Sequence, residues 1–130
     1  MAKQLSLVSL IVADYDEAIA FYTEKLGFDL IEDTPMGDKR WVVVQPKGTA
    51  GSGILLAKAN GQEQTDLIGK QGAGRVWLFL TTDDFWADYL HMQRGGVEFL
   101  EQPRVESYAT VVVFCDLYGN KWDLLQRNVK

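Results

Sequence analysis

One arrangement of elements occurs twice along the chain, and this repeat constrains the fold more than any other feature. The stretch "VADYDEAIAFYTEKLGF" (residues 12–28) contains the end of an apolar strand, an aspartate suited to cap a helix and a glycine suited to end it. A shift of 69 positions places Asp14 on Asp83 and Gly27 on Gly96. Because the cap, the stop and the following strand coincide, we interpret the chain as one strand–helix–strands unit written twice.

The first copy begins with the apolar run "LSLVSLIVA" at residues 5–13, which predicts a strand. Asp14 and Glu17 have the spacing of a capping box, and an apolar stripe at helical spacing follows them. Three further strands are predicted in "FDLIED", "RWVVVQP" and "GILLAK". Module one therefore spans about residues 1–58 of a single 130-residue domain.

The second copy follows a polar, glycine-bearing connector at residues 59–74. "RVWLFLTT" predicts a strand, "DDFWADYLHMQR" a helix, and "VEFLEQP", "YATVVVFCD" and "KWDLLQ" three more strands. Module two therefore spans about residues 75–127. Each copy alone would leave one face of a small sheet uncovered, so two copies are expected to fold together.

Charge and composition exclude several classes of function. The net charge of −5 and the lack of a Lys/Arg cluster argue against nucleic-acid binding. No run of residues reaches the length of a membrane span, and Lys3 and Gln4 interrupt any apolar run near the start, so we expect a cytoplasmic protein. Cys115 is the only cysteine and lies in an apolar run, which favours a buried structural role.

The repeat and the carboxyl-terminal stretch "FCDLYGNKWDLL" resemble the vicinal oxygen chelate superfamily, which includes glyoxalase I, extradiol dioxygenases and bleomycin-resistance proteins. The latter stretch is similar to the family's Asp-Pro-x-Gly-Asn turn, with Leu117 in place of proline. The resemblance implies an α+β fold of two βαβββ modules, whose curved mixed sheets form a cup-shaped cavity with the helices on the outer face. It also implies a homodimer, with the cup closed either within one chain or between two.

Enzymes of this superfamily hold a divalent metal with His, Gln or Glu side chains on the first and last strands of each module. The resemblance places these positions on Leu7, near Leu55, near Arg75 and on Asp123. Leucine has no donor atom, and arginine carries a permanent positive charge that repels a cation. We therefore expect no metal and no other cofactor, and this favours a protein that is not an enzyme.

Arg75 and Asp123 are the two polar residues at these positions, and three interpretations remain open. They form an ion pair that replaces the metal, they contact an anionic and a cationic or hydroxyl group of a ligand, or they are solvated strand ends. On the same strand parity, Trp77 and Phe79 follow Arg75 into the cup, and Ser9 follows Leu7.

Two further aromatic residues, Trp41 and Tyr108, are predicted near the mouth of a cup. Trp41 and Trp77 suit a ligand pocket and a dimer contact about equally. Trp86 and Trp122 are predicted to pack between helix and sheet instead. The predicted ligand-binding residues are thus Arg75, Asp123, Trp77, Phe79, Ser9, Trp41 and Tyr108.

The chain lacks a nucleophile elbow, a phosphate-binding glycine loop and a usable Cys/His pair. His91, the only histidine, falls in the second predicted helix, where a structural role is expected. The sequence therefore predicts a metal-independent protein that sequesters a small aromatic or amphipathic molecule. The alternative is a metal-dependent lyase, isomerase or dioxygenase with an atypical ligand set.

Overall fold

The computed structural model describes residues 1–48 and 51–128. Within it the chain divides into two compact units, Met1–Ile68 and Gly69–Lys130, called unit 1 and unit 2 below. The boundary lies inside the connector predicted from the sequence. Within the part of the chain that the structure describes, no helix has the length and apolar character needed to span a membrane.

Unit 1 is a four-stranded mixed sheet with one helical segment between its first two strands. The strands are β1 (Leu7–Val12), β2 (Asp29–Met36), β3 (Lys39–Gln45) and β4 (Gly53–Lys58), and their order in the sheet is β1-β4-β3-β2. β1 runs parallel to β4, and the other neighbours are antiparallel. This is the βαβββ arrangement predicted for module one.

Alternation along these strands separates a buried face from a more open one. Helix α1 (Tyr15–Ala20) contacts β3 and β4, and the fully buried side chains Leu10, Val42 and Leu56 form the core beneath it. The opposite parity carries Ser9, whose partner in the register is Leu55. This second face is called the open face of unit 1.

Unit 2 repeats the arrangement. Its strands are β5 (Val76–Thr81), β6 (Glu98–Phe99), β7 (Arg104–Val105), β8 (Ala109–Cys115) and β9 (Lys121–Arg127), in the order β5-β9-β8-β6 with β7 also paired to β8. β5 runs parallel to β9, as β1 does to β4. The predicted α+β fold class, with a βαβββ path written twice, is therefore confirmed.

The strand predicted at residues 97–103 is shorter in the structure, where β6 covers only Glu98–Phe99 and the next strand, β7, begins at Arg104. Between them, the Glu101 carboxylate accepts a hydrogen bond of 3.0 Å from the Val113 backbone N–H of β8. A side chain thus replaces a backbone carbonyl in the ladder. Pro103, which has no N–H to donate, lies next to the interruption.

From its capping aspartate to its terminating glycine, the helical segment of unit 1 is one residue longer than that of unit 2. The Asp14 carboxylate caps α1 by accepting from the Glu17 N–H at 2.8 Å, whereas Asp84 rather than the predicted Asp83 caps α3 (Phe85–Arg94). The caps are therefore 70 positions apart, whereas the terminating glycines are 69 apart. Unit 1 accommodates its extra residue as a π-helical turn at Phe21–Lys25.

A chain of aromatic rings fills the space between α3 and the sheet of unit 2. Phe85 and Tyr89 of α3 stack, Tyr89 lies 4.7 Å from Phe99, and Phe114 stacks on Trp122 at 5.8 Å between ring centroids. Trp122 is 3% exposed, which confirms its predicted place in this interface.

The same prediction for Trp86 is wrong, because its side chain is 50% exposed. Trp86 contacts the edges of Phe85 and Tyr89 from the outer side of α3. The cause is helical phase: neighbouring residues on a helix point about 100° apart, so Phe85 and Trp86 cannot both face the sheet directly.

The predicted connector also contains a short helix, α2 (Gln62–Asp66).

Candidate functional site

The face of the unit 2 sheet that lies opposite α3 carries an unusual mixture of apolar and charged side chains. Asp123 pairs across β8 and β9 with Val113, and across β5 and β9 with Phe79. Lys121, two residues earlier on β9, is paired with Val76. Alternate residues of a strand share a face, so these side chains form one surface, which we call the open face of unit 2.

A cavity of about 270 Å³ lies on this open face. Its volume is slightly below the range of about 300–1,000 Å³ that small-molecule sites usually occupy. The cavity therefore suits a small compound or one part of a larger one. Its walls combine apolar side chains, two charged side chains and exposed backbone, and the lining residues are Gly74, Val76, Leu100, Glu101, Val113 and Lys121.

A bulge in β5 determines which residues of that strand reach the cavity. Val76 pairs with Lys121 and Leu78 with Trp122, so Trp77 is the additional residue between two consecutive pairs. The parity counted from Arg75 is therefore interrupted, and Val76 rather than its neighbours lines the cavity. Trp77 is half-buried and has its backbone packed against Gly72.

Arg75 lies just before β5, and its side chain is exposed. Its backbone N–H donates to the Gly72 carbonyl at 3.0 Å. The interpretation of Arg75 and Asp123 as an ion pair is wrong, since no such pair forms among residues 1–48 and 51–128. The cation that interacts electrostatically with Asp123 is Arg104 instead.

Asp123 is a half-buried carboxyl that does not line the cavity itself but is the strand neighbour of Val113, which does. Its Oδ1 atom is covered and has no hydrogen-bond partner within the described ranges. Burial is the main cause that raises the pKa of Asp123, with Arg104 opposing this rise and Glu101 adding to it. A polar atom left without a partner costs free energy, so this carboxyl favours the approach of a hydrogen-bonding group.

Glu101 contributes charge to the cavity wall but is already occupied. One of its oxygens accepts from the Val113 N–H and the other from Arg104 Nε, each at 3.0 Å. Arg104 also donates to Glu106 at 2.8 Å. These hydrogen bonds raise the pKa of Arg104, so this arginine remains charged beside the site.

A buried polar turn holds the rim of the cavity in place. Asp116 Oδ1 accepts from the backbone N–H groups of Tyr118, Gly119 and Asn120 at 2.9–3.0 Å, and Asn120 Nδ2 donates to Asp116 Oδ2. Asn120 Oδ1 then accepts from the Gln71 N–H at 3.2 Å. The segment before β5 is thereby fastened to the start of β9.

Lys121 completes this attachment, because its ammonium group donates to the Gly74 carbonyl at 3.0 Å. Gly74 has a φ of +89°, a conformation that glycine adopts without strain. The rim therefore depends on the glycine-rich sequence of residues 69–74 and on Lys121, which also lines the cavity.

The remaining predicted ligand-binding residues are dispersed. Phe79 is 65% exposed and adjoins Asp123 on the open face of unit 2. Tyr108 is exposed and lies directly before β8, at the end of this strand that is remote from Lys121. Its carbonyl accepts a hydrogen bond from the Asn128 N–H. Ser9 and the 36%-exposed Trp41 lie on the open face of unit 1.

The residues at the superfamily's metal positions do not fit a divalent ion. Leu7 and Leu55 share the open face of unit 1 and offer no donor atom. In unit 2, Asp123 has Glu101 as a neighbour, and two carboxylates without a further donor side chain are too few for a divalent site. Across the residues described, no three His, Cys, Asp or Glu side chains form a group suited to a metal ion.

Two other reactive side chains lie apart from the cavity walls. His91 is exposed on α3, as predicted. Cys115 is 7% exposed, and its burial is the main cause that raises the pKa of its thiol. A buried thiol with a raised pKa is a poor nucleophile, in agreement with the predicted structural role.

Sequence reasoning missed all six residues that line the cavity, among them Val76, Glu101 and Lys121. Lys121 was within reach, since strand parity in "KWDLL" places it on the same face as Asp123. Val76 was hidden by the bulge. Glu101 was hidden because it lies between two short strands and reaches β8 through its side chain.

The fold agrees with comparisons to known proteins. A family model, that of the Glyoxalase/Bleomycin resistance protein/Dioxygenase superfamily, matches residues 4–124. The chain is 57% identical over 132 residues to an uncharacterized protein of Shewanella frigidimarina (strain NCIMB 400), covering 100% of this chain and 98% of that protein. The chain belongs to the Glyoxalase/Bleomycin resistance protein/Dioxygenase superfamily.

Solved structures give the same result at the level of the fold. The crystal structure of UcmS2 superposes with a TM-score of 0.83 at 33% identity, covering 96% of this chain and 98% of that one. TnmS3, described as an antibiotic binding protein from Streptomyces sp. CB03234, superposes with a TM-score of 0.80 at 32% identity, covering 98% of both chains.

Proposed function

We propose that this protein binds and sequesters a small aromatic or amphipathic molecule without the help of a metal ion. The observation that carries the proposal is the cavity on the open face of unit 2, whose wall residue Val113 is paired with Asp123, a carboxyl with one oxygen that lacks a hydrogen-bond partner among the described residues. Apolar walls with a few polar groups are typical of small-molecule sites. The likeness to TnmS3, an antibiotic binding protein, supports the same proposal.

Asp123 and Phe79 have the most direct part in this proposal, because they are paired with each other on the open face that carries the cavity. Trp77 and Arg75 lie at the start of β5 and are proposed to contact a ligand that extends beyond the cavity rim. Tyr108 is proposed to contact it at the far end of β8.

Ser9 and Trp41 belong to the open face of unit 1, where they are proposed to contribute a second set of contacts. The protein is further proposed to act in the cytoplasm as a homodimer.

The alternative is a metal-dependent lyase, isomerase or dioxygenase, and one observation favours it. Asp123 is a carboxylate at a position where superfamily enzymes have a metal ligand. Against this alternative, Leu7 and Leu55 supply no further donors.

Elemental analysis and native mass spectrometry of protein purified without chelator separate the two functions. The binding function predicts far less than one metal ion per chain and a mass increase from a bound organic compound. About one tightly bound divalent metal per chain, lost together with a catalysed reaction in Asp123→Ala, would establish the enzyme instead.

A further inference from the structure

Two complementary polar groups of the open face of unit 2 do not neutralise each other. Lys121 and Asp123 alternate on β9, so their side chains leave the sheet on the same side, with backbones about 7 Å apart. Among the residues that the structure describes, no salt bridge joins them.

The Lys121 ammonium has donors to spare. An ammonium group carries three N–H bonds, and the Gly74 carbonyl accepts one of them. The remaining two are available at the cavity wall, where Lys121 is a lining residue. An acceptor of the ligand, above all an anionic one, would complete this group.

The Asp123 carboxyl has an acceptor to spare. Its Oδ1 atom is covered and has no partner within residues 1–48 and 51–128, and rotation of the terminal carboxyl group exchanges this oxygen with the other one at the surface. Glu101 is the weaker candidate for this contact, because its oxygens already accept hydrogen bonds from the Val113 N–H and Arg104. A hydroxyl or amine of the ligand is therefore the group that Asp123 lacks.

Apolar side chains flank both polar groups. Val76 is the neighbour of Lys121 in the register, and Val113 and Phe79 are the neighbours of Asp123. A flat apolar body can cover these side chains only if its own polar atoms meet Lys121 and Asp123, since covering either group without a partner is costly.

We propose that the cavity selects aromatic molecules that carry an anionic or carbonyl acceptor for Lys121 and, at the other end of a rigid body, a hydroxyl or amine donor for Asp123. This inference rests on the proposed binding function and adds the chemical class of the ligand. It also implies that a compound of the same shape whose donor group is methylated binds less tightly, because the Asp123 carboxyl is then covered without a partner.

The test uses three naphthalenes of one shape: 6-hydroxy-2-naphthoic acid, 6-methoxy-2-naphthoic acid and 2-naphthoic acid. Isothermal titration calorimetry with the full chain is expected to show the hydroxy compound binding about tenfold more tightly than the methoxy compound. The carboxylate is common to all three, and the flexible lysine stem adapts to its position.

Variants assign the effect to the two side chains. Asp123→Val is expected to reduce the hydroxy-to-methoxy ratio from about tenfold to below about threefold. Lys121→Met is expected to weaken all three compounds by about tenfold while keeping that ratio. Lys58→Met, the same change at an exposed strand end of unit 1, is the matched control and should leave all affinities unchanged.

The outcomes separate the inference from the proposed function. If the hydroxy and methoxy compounds bind the unaltered protein equally well, the donor rule is wrong and binding itself remains established. If none of the three binds at millimolar concentration, both are overturned for this class of ligand. Circular dichroism checks that each variant is folded, and the ratio in the unaltered protein decides the inference even if Asp123→Val does not fold.

Discussion

Two carboxyl groups of unit 2 should respond in opposite directions when their charge is removed. Asp123 has a covered oxygen without a partner in the described structure, whereas Asp116 is 5% exposed and accepts four N–H groups. Asp123→Asn removes a poorly solvated charge, and Asp116→Asn removes a charge around which a turn is built. The two aspartate-to-asparagine variants therefore serve as controls for each other.

The expected magnitudes follow from these contacts. Asp123→Asn removes the cost of keeping a charge in a half-covered place but leaves one polar atom without a partner, so it should raise the free energy of unfolding by at most about 1 kcal/mol at pH 7. Hydrogen bonds to a charged acceptor contribute about 1.5–3 kcal/mol each, but an asparagine oxygen keeps some of them. Asp116→Asn should therefore lower the free energy of unfolding by about 2–4 kcal/mol.

The pH dependence identifies the charge as the cause. Because the pKa of Asp123 is raised in the folded protein, the folded state binds its proton more tightly than the unfolded state does. Stability from this group is present below the ordinary aspartate pKa of about 3.9 and is lost as the pH rises through the higher folded pKa. The advantage of Asp123→Asn should thus be largest at pH 7 and disappear near pH 3.

Urea unfolding followed by circular dichroism, at several pH values, measures both variants against the unaltered protein. An Asp123→Asn variant that is clearly destabilised at pH 7, or whose advantage does not change with pH, would refute the reasoning. Stabilisation accompanied by loss of ligand discrimination would be the result expected of a residue kept for binding.

Three further predictions concern a turn, a helix cap and the cysteine of unit 2. Gly69→Ala should lower the free energy of unfolding by more than about 2 kcal/mol, because Gly69 has a φ of +76° and an added Cβ would overlap a carbonyl oxygen of the turn between β8 and β9. Gly61 has a similar φ of +88° but lies in open space, so the control variant Gly61→Ala should cost only about 1 kcal/mol in the same urea assay. Asp84→Ala should cost about 1 kcal/mol through loss of the α3 cap, and equal effects of Asp84→Ala and Asp83→Ala would contradict the corrected cap position. The Cys115 thiol should react with a disulfide reagent at neutral pH only as fast as the protein opens, and rapid reaction in the folded state would show that the thiol is accessible.

The fold was predictable because its signals are local and repeated. Asp14, Gly27 and Gly96 act within one or two helical turns of their own position, so their chemistry can be recognised without the rest of the chain. The extra residue in the helical segment of unit 1 was not predictable, because the π-helical turn that accommodates it has no distinctive amino-acid composition.

The site was predictable only in part, for reasons of register. Asp123 and Phe79 lie together because strand pairing brings them opposite each other, on one face of the sheet. The bulge at Trp77 broke that parity for the start of β5, and a bulge depends on pairing between distant strands rather than on local sequence. Glu101 reaches β8 through its side chain, which no periodicity indicates.

The central claim is metal-free binding of a small aromatic molecule at the cavity of unit 2, and two-dimensional ¹H–¹⁵N NMR in the presence of a chelator tests it most directly. Addition of 6-hydroxy-2-naphthoic acid should shift the backbone signals of Val76, Val113, Lys121 and Asp123 in a saturable manner. Signals that shift only after a divalent metal is supplied, or that map away from this cavity, would contradict the claim.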